Sequence, residues 1–312
     1  MSETVVITGG QGFVGRYLSA ALAQRWPDWT IVSCGGPSDP GEALDVSDPA
    51  AVDALIARTR PTIVVHLAAV SAVTVALLDP GQAWQINLWG TFNLTRALEA
   101  HAPDSHLLFV SSAEVYGRSL RRNSPIDESA LLEPANPYAV TKAAADLLVR
   151  QYAHGGRSAS VARPFNHTGA GQSDAFALPS FACQIARIEA GLQPPVMMVG
   201  SLDDERDFLD VRDVVSAYVA MIEQRATLPT GAVMNVASGQ GRRIGDLLER
   251  LLGMASTKIE LRVDESRLRP NGIPRVVGDA TQIRQALGWR PTHDFDETLK
   301  DILEEKRLSL RG

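Results

Sequence analysis

The sequence contains little cysteine, with only Cys34 and Cys183 among its 312 residues. Two cysteines provide neither a disulfide framework nor a zinc-binding pattern, so we expect reduced thiols and a cytoplasmic protein that needs no metal. Long hydrophobic runs are also missing, because the longest ones, such as residues 62–70, are far too short to span a bilayer. A strand-like segment begins at Thr4, and we expect no signal peptide before it.

The chain also lacks an excess of positive charge, since its formal net charge is −6. This balance argues against general affinity for nucleic acid or for an anionic membrane, and it leaves room for a local basic pocket that binds a phosphorylated ligand. With 45% hydrophobic and 21% charged residues, the composition is that of an ordinary globular protein. A chain of 312 residues is long enough for one compact body with two lobes.

A glycine-rich turn follows the first β-branched segment, residues 4–7. It reads Gly9-Gly10-Gln11-Gly12-Phe13-Val14-Gly15 and leads into a predicted helix over residues 16–24. A strand, a glycine turn and a helix in this order indicate a dinucleotide site. The glycines allow the tight turn and the close approach of a pyrophosphate, and the helix N-terminus offers free N–H groups to it.

The second predicted strand, residues 30–33, ends in Cys34-Gly35-Gly36. An acidic residue at this point would bind the ribose of NAD, whereas an arginine would favour the additional phosphate of NADP. Neither is present, so the choice between NAD and NADP stays open.

Tyr138 and Lys142 are four residues apart in a segment with a helical pattern, so both side chains lie on one face. A nearby ammonium group favours the phenolate, and we therefore expect Lys142 to lower the pKa of Tyr138 and make it a general acid or base. Ser112 follows the apolar run of residues 107–110 and could hold the oxygen of a carbonyl or alcohol. Further on, we expect residues 205–214 to open another helix, and residues 83–100 to form one long helix.

These motifs resemble those of the extended short-chain dehydrogenase/reductases, which act on nucleotide-activated sugars. The resemblance covers nearly the whole chain and adds His66-Leu67-Ala68-Ala69, Val115-Tyr116-Gly117 and Arg163-Pro164-Phe165-Asn166 to the motifs above. It implies catalytic roles for Ser112, Tyr138, Lys142 and Glu114. It implies cofactor contacts for Gly9, Gln11, Gly12, Phe13, Val14, Gly15, Asp45, Val46, Leu67, Ala68, Ala69, Asn87, Tyr138, Lys142, Pro164 and Phe165.

Residues 168–187 and 268–289 are similar to those of GDP-4-keto-6-deoxy-D-mannose reductases, which make GDP-D-rhamnose. The similarity implies substrate contacts for Ser112, Glu114, Asn166, Gln184, Arg187, Arg206 and Arg269. The implied reaction is reduction of the 4-keto group of a GDP-linked sugar by NADH or NADPH, with Tyr138 as proton donor. Ala170 stands where the reductase pattern carries proline, and Asn271 stands where relatives carry an acidic residue, which leaves guanine recognition open.

Three alternatives remain. Glu114 lies two residues after Ser112, as does the proton-abstracting glutamate of GDP-mannose 4,6-dehydratases, so a dehydratase stays possible. A nucleotide-sugar 4-epimerase would keep its cofactor and need no external reductant. A non-catalytic nucleotide-binding regulator could use the same fold, although it would have no need of the proton donor Tyr138.

The alternation of strands and helices predicts an α/β fold with a Rossmann-like, doubly wound parallel sheet and a smaller C-terminal substrate-binding lobe. We expect a cofactor domain over residues 1–165, rejoined by about residues 206–238, and a substrate lobe over residues 166–205 and 239–312. The resemblance further implies a homodimer that pairs through the helix of residues 83–100 and the helix that carries Tyr138.

Overall fold

A computed structural model describes residues 2–37, 39, 41–122, 124–265 and 272–310 of the chain. Apolar segments rich in valine, leucine and isoleucine form a parallel sheet at its centre. In spatial order, the seven strands of this sheet are β10 (Ala232–Val236), β6 (Ala159–Pro164), β5 (His106–Val110), β4 (Ile63–His66), β1 (Thr4–Thr8), β2 (Thr30–Gly35) and β3 (Glu42–Ala43).

Helices cover both faces of this sheet. Val5 and Ile7 of β1 point into one core with α1 (Phe13–Arg25) and α8 (Val211–Glu223). Val6 points into the opposite core, which α2 (Pro49–Thr59), α5 (Gly90–His101) and α6 (Pro137–His154) complete. Burial on both faces explains the nearly continuous apolar character of the central strands. The predicted doubly wound α/β fold is therefore confirmed.

The region after β6 builds a smaller layer beside the sheet. Its second sheet contains β7 (Asn166–Thr168), β9 (Glu205–Asp210), β11 (Gly241–Arg243) and β13 (Arg275–Val276), and β8 (Val196–Val199) pairs with β12 (Glu260–Val263). Its helices are α7 (Ala177–Glu189), α9 (Ile244–Gly253) and α11 (Phe295–Ser309), whereas α10 (Thr281–Leu287) packs against β10 in the core of the large sheet. A third core forms between α7, α9 and α11. In the ranges that the structure describes, no helix is long and apolar enough to cross a membrane.

One local prediction is wrong. Residues 205–210 form β9 rather than the start of a helix, and α8 begins only at Val211, where the Asp210 side chain accepts a hydrogen bond from the Arg212 N–H (2.7 Å). The expected helix over residues 83–100 is confirmed, because residues 80–101 are helical without a break and include a π-helical turn. α3 (Val73–Leu78) and α4 (Pro80–Ala83) precede a π-helical turn over Trp84–Trp89, and α5 continues from Gly90. Such turns are frequent at functional sites.

Candidate active site

A cleft of about 740 Å³ runs along the carboxyl ends of the parallel strands. In an open parallel sheet this is the edge at which ligands bind, because the loops after successive strands meet there. Residues that follow β1, β2, β4, β5 and β6 line the cleft, and Arg206 of β9 lines it from the smaller layer. The cleft therefore brings the predicted dinucleotide turn, the predicted catalytic residues and part of the predicted substrate set into one site.

The glycine turn between β1 and α1 is too closely packed for larger residues. Gly9 has a φ of +68°, and a Cβ placed on it would lie 2.7 Å from the Ala68 backbone nitrogen. A Cβ on Gly15 would lie 2.4 Å from the Gly9 oxygen. The backbone thus leaves an open cradle at the N-terminus of α1, whose first turn carries no acidic side chain. This cradle fits the pyrophosphate of a dinucleotide.

Most of the predicted cofactor residues line the cleft. They are Gly9, Gly12, Phe13, Val14, Gly15, Asp45, Val46, Leu67, Ala68, Ala69, Tyr138, Lys142, Pro164 and Phe165. Gln11 is absent from the lining, and so is Asn87, whose side chain is buried and engaged elsewhere. The Asn87 amide donates to Thr141 Oγ1 (2.9 Å) and accepts from the Val70 N–H (2.8 Å). Asn87 therefore connects the loop after β4 to α6 rather than facing the cleft.

The start of α6 places Tyr138 and Lys142 at the cleft. Asn136 caps this helix by accepting a hydrogen bond from the Ala139 N–H (2.9 Å), and Pro137 occupies the first helical position, where its fixed φ suits a helix. Tyr138 is 8% exposed and Lys142 is 3% exposed. The Lys142 ammonium donates to the Val110 carbonyl (2.6 Å) and lies over the Phe109 ring. Strand β5 thus positions the lysine.

Burial controls the protonation of both side chains. It raises the pKa of Tyr138 to about 12, and the charge of Glu114 adds to this, while a hydrogen bond with Ser112 acts in the opposite direction. Burial also lowers the pKa of Lys142 to about 8, against the opposing attraction of Asp146. The prediction that Lys142 lowers the pKa of Tyr138 is therefore wrong, because loss of solvation dominates in the folded chain. Tyr138 is protonated at neutral pH, as a proton donor must be.

Ser112 and Glu114 lie beside Tyr138 at the end of β5. The Glu114 N–H donates to Ser112 Oγ (3.2 Å), and the Asn136 amide donates to Glu114 Oε2 (3.0 Å). The same asparagine therefore caps the catalytic helix and holds the carboxylate that lines the cleft.

The predicted substrate residues are only partly brought together. Asn166 and Arg206 line the cleft, and Arg206 forms an ion pair with Asp204 (2.9 Å). Gln184 does not line the cleft, because its amide accepts from the Met198 N–H (3.0 Å) and holds β8 against α7. Arg187 is exposed outside the cleft, and Arg269 lies outside the described residues.

The structure adds cleft residues that the sequence motifs did not reveal. His167 stacks on Phe13, with 5° between the two ring planes. Ser111 and Tyr218 line the cleft with buried hydroxyl groups that have no hydrogen-bond partner among the described residues. Such groups are costly unless a ligand or water satisfies them, so they also fit a bound polar cofactor. Ser111 directly precedes Ser112 in the chain, whereas no local pattern marks Tyr218, which comes from α8.

Comparisons with known proteins agree with this geometry. A family model described as GDP-mannose 4,6 dehydratase matches residues 42–302. The chain is 38% identical over 312 residues to GDP-6-deoxy-D-mannose reductase of Pseudomonas aeruginosa, covering 100% of this chain and 99% of the relative. It is 26% identical to GDP-6-deoxy-D-talose 4-dehydrogenase of Aggregatibacter actinomycetemcomitans, covering 96% of both chains.

Solved structures show the same likeness. The structure of RMD from Pseudomonas aeruginosa complexed with NADPH superposes with a TM-score of 0.89 at 38% identity, covering 99% of this chain and 100% of that one. UDP-glucose 4-epimerase of Thermus thermophilus in complex with NAD superposes with a TM-score of 0.84 at 25% identity, covering 97% and 99%.

Proposed function

The chain belongs to the GDP-mannose 4,6-dehydratase family of extended short-chain dehydrogenase/reductases, and on this premise we propose that it reduces the 4-keto group of GDP-4-keto-6-deoxy-D-mannose to give GDP-D-rhamnose. The Pseudomonas aeruginosa relative named GDP-6-deoxy-D-mannose reductase supports a reductase within this family. One observation of the structure carries the proposal: Ser112, Tyr138 and Lys142 line the same cleft as the glycine cradle.

The chemistry divides between the cofactor and the chain. A bound NADH or NADPH supplies the hydride that carbon 4 of the ketone accepts. Ser112 donates a hydrogen bond to the ketone oxygen, and Tyr138 transfers its phenolic proton to that oxygen as negative charge develops there. We assign the Lys142 ammonium to the nicotinamide ribose, because Lys142 lines the same cleft and is positively charged at neutral pH.

The remaining contacts orient the two ligands. We assign the dinucleotide to the glycine cradle and to the side chains of Asp45, Val46 and residues 67–69, with Pro164 and Phe165 at the nicotinamide end. Asn166 and Arg206 line the part of the cleft left for the nucleotide sugar. A guanidinium group suits phosphate oxygens, so Arg206 is assigned to the diphosphate. Arg269 keeps the same proposed role on the basis of resemblance alone.

The test is cofactor oxidation with GDP-4-keto-6-deoxy-D-mannose, run in parallel with NADH and NADPH. We expect substrate-dependent loss of absorbance at the reduced nicotinamide band, with one GDP-D-rhamnose formed per cofactor oxidised and its configuration at carbon 4 assigned by NMR. An epimerase would change configuration without net oxidation of the cofactor. A pure binding protein would bind both ligands and give no product. Either result would overturn the reductase.

A second candidate, GDP-mannose 4,6-dehydratase, is favoured by one observation. Glu114 lines the cleft beside Ser112 and is held by Asn136, so a carboxylate is available for proton abstraction next to a ketone. GDP-mannose with NAD⁺ or NADP⁺ tests this candidate. Formation of a keto sugar that is lost in Glu114→Gln would move the assignment to the dehydratase. If Glu114→Gln leaves ketone reduction largely intact and wild type ignores GDP-mannose, the reductase stands.

We further propose that two copies of the chain pair through adjacent helices. Large apolar side chains are exposed on α3, on the π-helical turn and on α6, among them Leu78 (88%), Trp89 (55%) and Leu147 (53%). Exposed apolar residues in such numbers on neighbouring helices favour a protein interface. The two unpaired cysteines are consistent with work in the reducing cytoplasm. GDP-D-rhamnose would then be supplied there for polysaccharide synthesis.

A further inference from the structure

The end of the cleft next to β2, where the proposed dinucleotide would place its adenosine, carries a carboxylate that the sequence motifs did not predict. Strand β2 ends at Gly35, so no side chain extends from the position at which dinucleotide sites often carry their selective residue. Gly35, Gly36 and Pro37 nevertheless line the cleft, and so does Asp39, four residues beyond the end of the strand. The turn after β2 therefore places the Asp39 side chain next to Gly35, where the strand itself provides no side chain.

Close packing fixes this carboxylate. A Cβ on Gly35 would lie 2.4 Å from Asp39 Cβ and 2.9 Å from Asp39 Oδ2, so the aspartate side chain occupies the space that a side chain at position 35 would need. The Gly36 N–H donates a hydrogen bond to Asp39 Oδ2 (2.7 Å). Only glycine at position 35 allows this arrangement. Asp39 itself is exposed, which leaves its other carboxylate oxygen available to a ligand.

The described residues that line this end of the cleft with Asp39 are Gly35, Gly36, Pro37, Leu44, Asp45 and Val46, and none of them is basic. Among the described residues that line the cleft, the lysine and arginine side chains are those of Lys142, bound to Val110, and Arg206, which lies on β9. The guanidinium of Arg58 on α2 is paired with Glu42 of β3 (2.7 Å). Arg16 of α1 donates to the carbonyls of Gln11 (3.2 Å) and Gly171 (3.4 Å).

We propose that Asp39 makes the chain selective for NAD(H) over NADP(H). Its carboxylate accepts hydrogen bonds from the adenosine ribose hydroxyls, whereas the 2′-phosphate of NADP would place two further negative charges beside it, where none of the described lining residues is a lysine or an arginine. This inference rests on the proposed function only in that the same cleft holds a nicotinamide dinucleotide. The NADPH of the Pseudomonas aeruginosa structure is therefore not carried over to this chain.

The test is direct binding of NAD⁺ and NADP⁺ to the substrate-free chain by isothermal titration calorimetry. We expect wild type to bind NAD⁺ at least roughly tenfold more tightly than NADP⁺. Asp39→Asn keeps the size of the side chain and an oxygen for the Gly36 N–H, and removes only the charge. In this variant NADP⁺ affinity should rise by roughly tenfold and NAD⁺ affinity should change by less than about threefold. High salt should reduce the wild-type discrimination, because exposed charges are screened.

Asp48→Asn is the matched control. Asp48 also holds a backbone N–H, that of Ala50 (2.9 Å), but it caps α2 outside the cleft lining, and asparagine caps a helix equally well. It should leave both affinities unchanged. Equal or tighter NADP⁺ binding by wild type would overturn the selectivity and leave the reductase intact, and an unchanged affinity ratio in Asp39→Asn would overturn the role of Asp39. Failure to bind either dinucleotide would overturn the proposed function as well.

Discussion

In the proposed reaction, Tyr138 begins with the proton that it transfers to the ketone oxygen. Its phenol is buried beside Ser112, and its pKa of about 12 keeps it protonated over the whole working range of pH. Burial also makes the tyrosinate unfavourable, so the groups around the phenol must stabilise this anion when the proton is transferred. The Lys142 ammonium lines the same cleft and is held by the Val110 carbonyl.

Replacing Tyr138 with phenylalanine separates proton transfer from binding. We expect Tyr138→Phe to lower kcat by about 10²–10⁴-fold, the range associated with loss of a positioned acid, and to change dinucleotide affinity by less than about threefold. Steady-state reduction of the keto sugar and calorimetric titration with cofactor measure the two quantities. Turnover within tenfold of wild type would show that another group donates the proton.

The buried ammonium of Lys142 predicts a pH dependence of stability. Its pKa is about 8 in the folded chain, below the value of 10.5 for an exposed lysine. Between these values the unfolded chain holds a proton that the folded chain has released, so the free energy of unfolding rises with pH. Lys142→Met lacks this contribution. Wild type should therefore gain up to about 3 kcal/mol relative to the variant between pH 8 and pH 10.5, at roughly 1.4 kcal/mol per pKa unit.

Urea unfolding of both proteins at several pH values measures this gain. Stability curves that stay parallel from pH 7 to pH 10.5 would contradict a lowered lysine pKa. The same variant should bind dinucleotide more weakly, since an ammonium that faces the cofactor end of the cleft is lost.

Local motifs could place most of the site residues but not all of them. The glycine cradle, Ser112, Tyr138 and Lys142 belong to segments whose chemistry is legible within a few residues of sequence. The positions of Asp39 and Tyr218 could not be predicted in this way. Asp39 reaches the cleft through a turn that folds back over Gly35, and Tyr218 reaches it from α8. The assignments of Gln184 and Arg187 rested on resemblance, and packing places both away from the cleft. The roles of individual site residues remain predictions.

At the scale of whole elements, α6 is held at its first turn and at its middle. Asn136 caps its first turn, and Asp146, one turn beyond Lys142, pairs with the buried side chain of Arg163 on β6. Two hydrogen bonds join this pair, from Nε to Oδ2 (2.9 Å) and from Nη2 to Oδ1 (3.0 Å). Arg163 also donates to the Tyr116 hydroxyl (3.0 Å). The helix that carries the catalytic residues is thereby locked to the sheet.

Removing one partner of this pair should be strongly destabilising. Asp146→Ala leaves the Arg163 charge buried without its counter-ion, and we expect the free energy of unfolding to fall by about 3–5 kcal/mol. The double variant Asp146→Leu with Arg163→Met should recover part of this loss, because no charge is then buried. Urea unfolding gives all three values.

A surface pair provides the control. Glu223→Ala breaks the exposed pair with Arg25, and it should cost less than about 1 kcal/mol. If Asp146→Ala costs no more than Glu223→Ala, the buried pair does not anchor α6.

The strand β9 shows where prediction of elements from sequence reaches its limit. Its residues, Glu205–Asp210, alternate poorly between polar and apolar, and the sequence suggested a helix. The strand forms because β7, β11 and β13 supply its hydrogen-bonding partners from segments around residues 167, 242 and 275. In contrast, β1 and α6 carry their own signals, namely β-branched residues and an Asn-Pro cap. Long-range pairing is the information that a local pattern lacks.

At the scale of the whole molecule, two packed layers share one cleft. Three separate clusters of buried residues form the cores: one on each face of the large sheet, and one between α7, α9 and α11. The chain crosses between the layers more than once, because β9 belongs to the smaller layer and β10 returns to the large sheet. The proposed boundaries at residues 165, 205 and 238 remain a prediction. Arg206 of the smaller layer and Tyr138 of the larger layer line the same cleft.

The exposed apolar residues of α3, the π-helical turn and α6 predict the assembly of the molecule. We expect wild type to sediment as a dimer at micromolar concentration, since a stable interface buries roughly 800 Å² on each partner. The double variant Trp89→Glu with Leu147→Glu should sediment as a monomer, because it places charges where two apolar surfaces would meet. Leu308→Glu is the matched control: Leu308 is 63% exposed on α11, in the other layer, and its replacement should leave the dimer intact.

Dinucleotide affinity distinguishes a specific interface from general unfolding. Trp89 and Leu147 do not line the cleft, so the monomeric variant should still bind cofactor if it is folded. A wild-type chain that sediments as a monomer, or a Leu308→Glu variant that dissociates as readily as the double variant, would contradict pairing through these helices. Tyr138 lies on the cleft side of α6 and Leu147 on its exposed side. A dimer contact at Leu147 would therefore stabilise the position of the helix that carries Tyr138. Dissociation should therefore lower kcat more than it lowers cofactor affinity.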